Sequence, residues 1–252
     1  MARKRPGYFS TIEYIGPRPQ KPKRPNVFGG WVIVVIAVGI ACWFGRPLVP
    51  FLKATQETVS TEQAAVLIAS LGDSQTPGHQ LAAAALAHSR EPVAFDNDYI
   101  KIPYPGGDVS PGKGNAADVI VRAFRRTGID LQKEIHEDMS ANFRAYPQLF
   151  GRSAADPNID HRLVPNLQRF FERKAEVLEA TRNPADYQPG DIVIWSLADA
   201  ETHIGIVVPG PGRSASEPWV VHHLAGNAMK WENVLFDFRI QAHFRYPKQA
   251  AK

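Results

Sequence analysis

Two histidines on neighbouring predicted strands are the residues of this chain best placed for chemistry. The stretch QPGDIVIW, Gln188 to Trp195, and the stretch THIGIVV, Thr202 to Val208, are β-branched and aromatic runs joined across Ala-Asp-Ala-Glu. They predict two antiparallel strands, and His203 opens the second. Alternation puts His203, Gly205 and Val207 on one face and Ile204, Ile206 and Val208 on the other, which leaves the imidazole beside a glycine gap open to a ligand. His222 falls in a later predicted strand, Trp219 to His223, at a spacing that allows it to neighbour His203. Nucleophilic catalysis needs a helix-terminal nucleophile, a histidine base and a third group that orients the imidazole. The plain alternative is a pair of hydrogen-bonded sheet histidines without a catalytic part.

A helix start lies upstream. Asp108 to Asn115 is a loop carrying Pro111, Gly112 and Gly114, and Ala116, Val119, Ile120, Ala123, Phe124 and Thr127 then recur at helical spacing before a stop at Gly128. Asn115 is a suitable cap, so residue 116 sits on the first turn, where unpaired N–H groups and the helix dipole favour a developing anion.

The remaining elements follow from pattern. Ser60-Thr61-Glu62-Gln63 reads as a capping box for a helix to about Leu71, and Gly78 to His88 is a second, alanine-rich helix. Tyr99, Ile100, Ile102 and Tyr104 predict a short strand, Asp130 to Glu137 a helix, and Met139 to Phe150 an irregular connection. Pro165 opens a helix predicted to reach about Leu178, and Val234 to Phe238 and Ala242 to Tyr246 continue the strand pattern. The fold class is therefore α+β, a helical half followed by a mostly antiparallel sheet.

Other chemistry is poorly supported. His136, Glu137 and Asp138 with Asp156, Asp160 and His161 could supply oxygen and nitrogen ligands, but their spacing fits no zinc signature, and no metal is expected. Asp160, His161 and Arg162 read as a polar cleft wall, or as a tie between the loop before Pro165 and the body. PGGDVSPGKGN lacks the Ser or Thr that follows a phosphate-loop lysine, so no nucleotide cofactor is expected.

The amino terminus sets the location. Val27 to Gly45 is 19 residues without a charge, about 28 Å as a helix, which predicts a transmembrane span. Residues 1–26 carry seven basic residues and one acidic one, are rich in proline, and read as a disordered cytoplasmic tail. No small-x-small cleavage site follows the span, which favours an uncleaved anchor over a signal peptide. Residues 46–70 then form a juxtamembrane linker and helix, and 71–247 the globular domain, outside the cytoplasmic membrane. The chain is +4 overall, but beyond the tail 22 basic residues face 24 acidic ones, so no nucleic-acid partner is expected. Cys42, the single cysteine, lies in the span and excludes an intrachain disulfide.

YPGGDVSPGKGNAADVIVRAF (Tyr104 to Phe124), QPGDIVIW, HIGIV and WVVHHLAG (Trp219 to Gly226) together resemble the NlpC-type branch of papain-like cysteine peptidases, whose members mostly cut peptide or amide bonds in bacterial cell walls. Closer still, Leu81 to Tyr246 is similar to the bacterial family catalogued as domain of unknown function 1287, through IPYPGGDV, GIDLQKEIHEDM, NIDHRLVPNLQRFF and ADYQPGDIV. The resemblance implies a papain-like fold, His203 as base, His222 as its orienting group, Tyr104 as an aromatic bordering the site, and a nucleophilic cysteine at position 116. It also implies a cell-wall stem peptide or another amide as ligand. Position 116 here is alanine, whose methyl group cannot attack a carbonyl, and neither Ser110 nor Ser153 occupies the helix start. Two readings of Ala116 stay open, a natural pseudoenzyme that grips a ligand without cutting it, or an enzyme inactivated by substitution. A third is an envelope scaffold whose histidines only pack.

The uncharged span generates the first prediction. The protein is expected to stay in the membrane fraction through a high-salt wash, with residues beyond Pro47 open to protease from outside spheroplasts; release by salt, or protection of the carboxy-terminal region, contradicts it.

Overall fold

The computed structural model describes residues 31, 33–38, 62–197 and 201–248. The chain divides into two compact units, Met1–Ala54 and Thr55–Lys252. In the first, residues 31 and 33–38 are helical; the rest of the predicted Val27–Gly45 span, the tail and residues 46–61 lie outside the described residues. No helix among the described residues is long and apolar enough to cross a membrane.

The second unit opens with helix α1 (residues 62–72) and α2 (Pro77–His88). Strand β1 (Ala94–Phe95) pairs in parallel with β2 (Lys113–Gly114), immediately before α3 (Ala116–Arg126). Helices α4 (Leu131–Ala141) and α5 (Val164–Lys174) complete the helical half. The sheet follows as β3 (Glu176–Leu178), β4 (Ile192–Ser196), β5 (Thr202–Pro209), β6 (Pro218–His222), β7 (Lys230–Glu232) and β8 (Arg239–Arg245). Its order is β3-β8-β4-β5-β6-β7, every neighbouring pair antiparallel.

Alternation along β5 explains how the layers meet. Ile204, Ile206 and Val208 enter the large core with Phe124, Phe170 and Phe171, and α2, α3 and α5 pack on this strand. Val207 points the other way, into a smaller cluster with Tyr187, Val193, Trp195, Val220 and Leu235. The central strands are thus buried on both faces, which suits their unbroken β-branched runs. The turn before β4 is pinned by the buried carboxylate of Asp191, which accepts from the amide of Gln188 at 2.8 Å, from Arg245 Nε at 2.7 Å and from His243 Nε2 at 2.8 Å. Gly190 sits in that turn at φ +89°, in the left-handed region that glycine enters without a Cβ penalty.

Four expectations are corrected. Tyr99 to Tyr104 is no strand; side chains satisfy it instead, the amide of Ile102 donating to Asn158 Oδ1 at 2.9 Å. The helix from Pro165 stops at Lys174, because Ala175 turns extended (φ −91°, ψ 169°) and Glu176–Leu178 joins β8 as an edge strand. Residues 235–237 are a turn rather than a strand, because Trp195 Nε1 donates to the Leu235 carbonyl at 2.9 Å and draws the segment over the smaller cluster. The glycine gap beside His203 is filled: a Cβ on Gly205 would lie 2.9 Å from Trp195 Cη2 and 3.0 Å from the Val221 carbonyl oxygen. That glycine admits the Trp195 indole, not a ligand.

Gly205→Ala is accordingly expected to cost about 1–3 kcal/mol by overpacking, read as a lower urea midpoint of the globular unit. An unchanged midpoint would mean that Trp195 has room to move.

Candidate active site

Position 116 is fixed by the residues around it. Asn115 Oδ1 accepts from the amide of Asp118 at 3.1 Å, and Asp118 Oδ2 accepts from the amide of Asn115 at 2.8 Å, a reciprocal capping box. Asp118 is held in turn by Arg162, whose Nε donates to Oδ1 at 2.9 Å and Nη2 to Oδ2 at 3.0 Å. The same guanidinium donates to the carbonyls of Asp98 at 2.7 Å and Asp96 at 3.1 Å. Asn115 Nδ2 reaches Asn97 Oδ1 at 2.9 Å. From farther along α3, Arg122 grips the preceding loop, donating to Asp108 at 3.0 and 3.1 Å and to the Lys113 carbonyl at 2.8 Å. A helix N-terminus with its dipole and unpaired first N–H groups is therefore locked in place. Its first residue, Ala116, is buried.

The histidines form a chain. His203 Nε2 and His222 Nδ1 are 2.9 Å apart, and His222 Nε2 is 2.9 Å from Glu232 Oε1 on β7. His203 pairs across the sheet with Trp195 and stacks on its indole, centroids 5.7 Å apart at 22°. Both histidines are buried, and burial pushes His203 down to about 3, with His222 and His223 adding to the shift. His222 is also lowered by burial, against the opposing pull of Glu232. Both are neutral imidazoles at pH 7, and the Nε2 contact leaves His203 Nδ1 as its remaining polar atom. His223 turns elsewhere: its Nε2 donates to the Asn227 carbonyl at 3.1 Å, and its ring meets Phe95 edge-on at 5.3 Å. Phe95 and Asn227 also line a cavity of about 650 Å³ with Val93, Gly112 and Met229.

Of the sequence-derived residues the structure joins His203 to His222; Ala116 lies in the large core with Ile204 and Ile206, whereas His203 stacks on Trp195, which belongs to the smaller cluster with Val207, and the rest lie apart. Tyr104 is partly exposed in the turn at residues 104–106, its ring edge-on to His136 at 5.0 Å. Asp160 and His161 are fully interior in the turn Asp160–Arg162, not on a cleft wall. Asp160 accepts from Arg152 at 3.0 Å and from the amide of Asp156 at 2.5 Å, and lies 3.6 Å from His136 Nδ1. Burial and the nearby charges of Arg162 and Arg125 press His161 down to about 3. Asp138 leaves this group altogether, pairing with Arg173, Lys174 and Tyr146. Among the described residues no three His, Cys, Asp or Glu side chains gather as a metal site.

Glu232 and the Asp118–Arg162 pair were not foreseen from the sequence. KWEN carries an aromatic anchor for a strand, Trp231, whose indole donates to the Pro209 carbonyl at 3.1 Å; that signal is legible only once β6 is placed beside it.

Fold and site together define an α+β domain in which a capped helix start and a buried His–His–Glu chain are built from separate halves of the sequence. The chain belongs to the family described as domain of unknown function (DUF1287), which matches residues 82–246. It is 45% identical over 152 residues to the uncharacterized protein YijF of Escherichia coli K12, covering 60% of this chain and 73% of that protein. Among solved structures it is similar to NlpC1 from Trichomonas vaginalis, with a TM-score of 0.39 and 13% identity over 69% of this chain. The chain spans 45% of that protein's length.

The depressed histidines give a pH prediction. His161 and His203 stay neutral in the folded protein down to about 3, whereas in the unfolded chain they titrate near ~6.5. Above that value they contribute no pH dependence. Below it the unfolded chain binds more protons, so stability falls with pH by up to about 1.4 kcal/mol per unit for each. Urea midpoints are expected to be level from pH 8 to 7 and to drop steadily from pH 6.5 to 5; a level midpoint down to pH 5 contradicts the buried neutral state.

Proposed function

We propose that this domain is a papain-like, NlpC-type thiol amidase or peptidase site whose nucleophile position, 116, is occupied by alanine. The observation that carries the reading is the buried neutral His203, oriented through His222, in the same unit as a locked helix start at residue 116. With a cysteine there, His203 Nδ1 takes the thiol proton and the thiolate attacks the amide carbon. The N–H of residue 116 helps hold the oxyanion. Collapse of the adduct breaks the C–N bond, the amine leaves with the proton from His203, and water hydrolyses the thioester. The low pKa of His203 does not oppose this, because a thiolate partner favours the imidazolium that burial alone disfavours.

Ala116 itself favours a second reading: as the chain stands, the groove binds a peptide or amide without cutting it, with Tyr104 and the cavity beside Phe95 and Asn227 as candidate contacts. The apolar span at Val27–Gly45 supports carriage on the cytoplasmic membrane, single-pass, with the domain on the outer side, where stem peptides of the cell wall are the amides at hand. No cofactor is invoked.

The test is Ala116→Cys. A thiol at a helix N-terminus beside an imidazole has its pKa lowered well below ~8.5. Iodoacetamide labelling at residue 116, followed by peptide mapping to keep it apart from Cys42, is expected to persist near pH 6 and to weaken in Ala116→Cys/His203→Ala. A thiol with ordinary titration, indifferent to His203, refutes the proposal and leaves the histidines as packing residues.

A further inference from the structure

We infer that Glu232 is the positioning residue that fixes the direction of the histidine chain, so that His203 keeps an unprotonated Nδ1. The inference rests on the amide-hydrolase reading for its purpose, but not for its geometry. A carboxylate oxygen only accepts, so His222 Nε2, 2.9 Å from Glu232 Oε1, carries the proton. A neutral ring holds one proton, and burial keeps His222 neutral, so its Nδ1 is a bare acceptor. His203 Nε2, 2.9 Å away, must then donate. His203 is neutral as well, and its Nδ1 is left with a free lone pair.

Two histidines alone have no such preference, because the hydrogen bond between them can run in either direction. In the reverse direction His203 Nε2 accepts, its Nδ1 carries the proton, and it cannot act as a base. The carboxylate at the end of the chain removes that state. Its place is set by β7: Val220 pairs with Glu232 and His222 with Lys230, and Trp231 anchors the strand to the Pro209 carbonyl at 3.1 Å. Lys230 Nζ lies 3.6 Å from Glu232 Oε2, the carboxylate oxygen that His222 does not use. When His203 takes a proton, Glu232 also stabilises the resulting charge through His222.

The experiment is long-range ¹H–¹⁵N NMR of the full-length protein labelled on its histidine rings, at neutral pH. In the unchanged chain His203 and His222 are both expected to be Nε2–H tautomers with pyridine-type Nδ1. Glu232→Gln replaces the carboxylate by an amide that can donate or accept. In that variant the His203 Nδ1 signal is expected to move toward the protonated type, while the His243 ring, remote from the change, reports that the fold is kept. A Nδ1–H tautomer on either ring of the unchanged protein overturns the inference, with or without a folded variant; so do tautomers that Glu232→Gln leaves as they were. Tautomers as expected beside an ordinary thiol in Ala116→Cys would sink the hydrolase reading alone. A reactive thiol beside tautomers indifferent to Glu232 would sink only this inference.

Discussion

The buried ion pair between Asp118 and Arg162 is the interaction on which the candidate site depends. Both side chains are almost wholly removed from water, a cost recovered only if every donor and acceptor is matched. Here they are matched: the carboxylate takes two guanidinium N–H groups and the Asn115 amide, and the guanidinium spends its remaining contacts on the carbonyls of Asp96 and Asp98. One pair thereby ties the start of α3 to the segment at residues 96–98 and to the turn Asp160–Arg162. Loss of either partner would leave an uncompensated buried charge, at a cost of about 3–5 kcal/mol. The position of residue 116 is thus a consequence of electrostatics set two residues further along its own helix.

The sheet supplies the other half. Asp191 pins the entry to β4, Gly205 admits the Trp195 indole, and that indole stacks on His203. With His203 held on one side by Trp195 and on the other by His222, its ring has one free polar atom. Burial keeps the ring uncharged until an anion is offered. Two separately held parts result: a neutral histidine pair on the Trp195 face of β5 and a capped helix start at Ala116 in the large core.

Much of this was legible in the sequence because it is local. Loop punctuation and 3.6-residue spacing gave α3 and its Asn115 cap; period-two runs gave β4 and β5 with their faces correctly assigned. What escaped was set by distant partners. The segment at Tyr99–Tyr104 has strand composition but its amide at Ile102 finds a side chain instead of a ladder. Val234–Phe238 looks like a strand until Trp195 claims the Leu235 carbonyl. Asp160 and His161 read either as cleft residues or as a tie for the loop before Pro165, and their burial leaves the tie. Glu232 was invisible because its role depends on the register of β6 against β7, which no spacing along the chain reveals.

Whether this arrangement is a hydrolase site is most directly decided by restoring the missing atom and asking for chemistry. Ala116→Cys would be incubated with purified bacterial sacculi, and soluble products identified by mass spectrometry. The expected result is fragments with newly freed amide-bond termini, absent with the unchanged chain and with Ala116→Cys/His203→Ala. A folded Ala116→Cys protein that releases no more than the unchanged chain would contradict a cell-wall amidase built around residue 116 and His203.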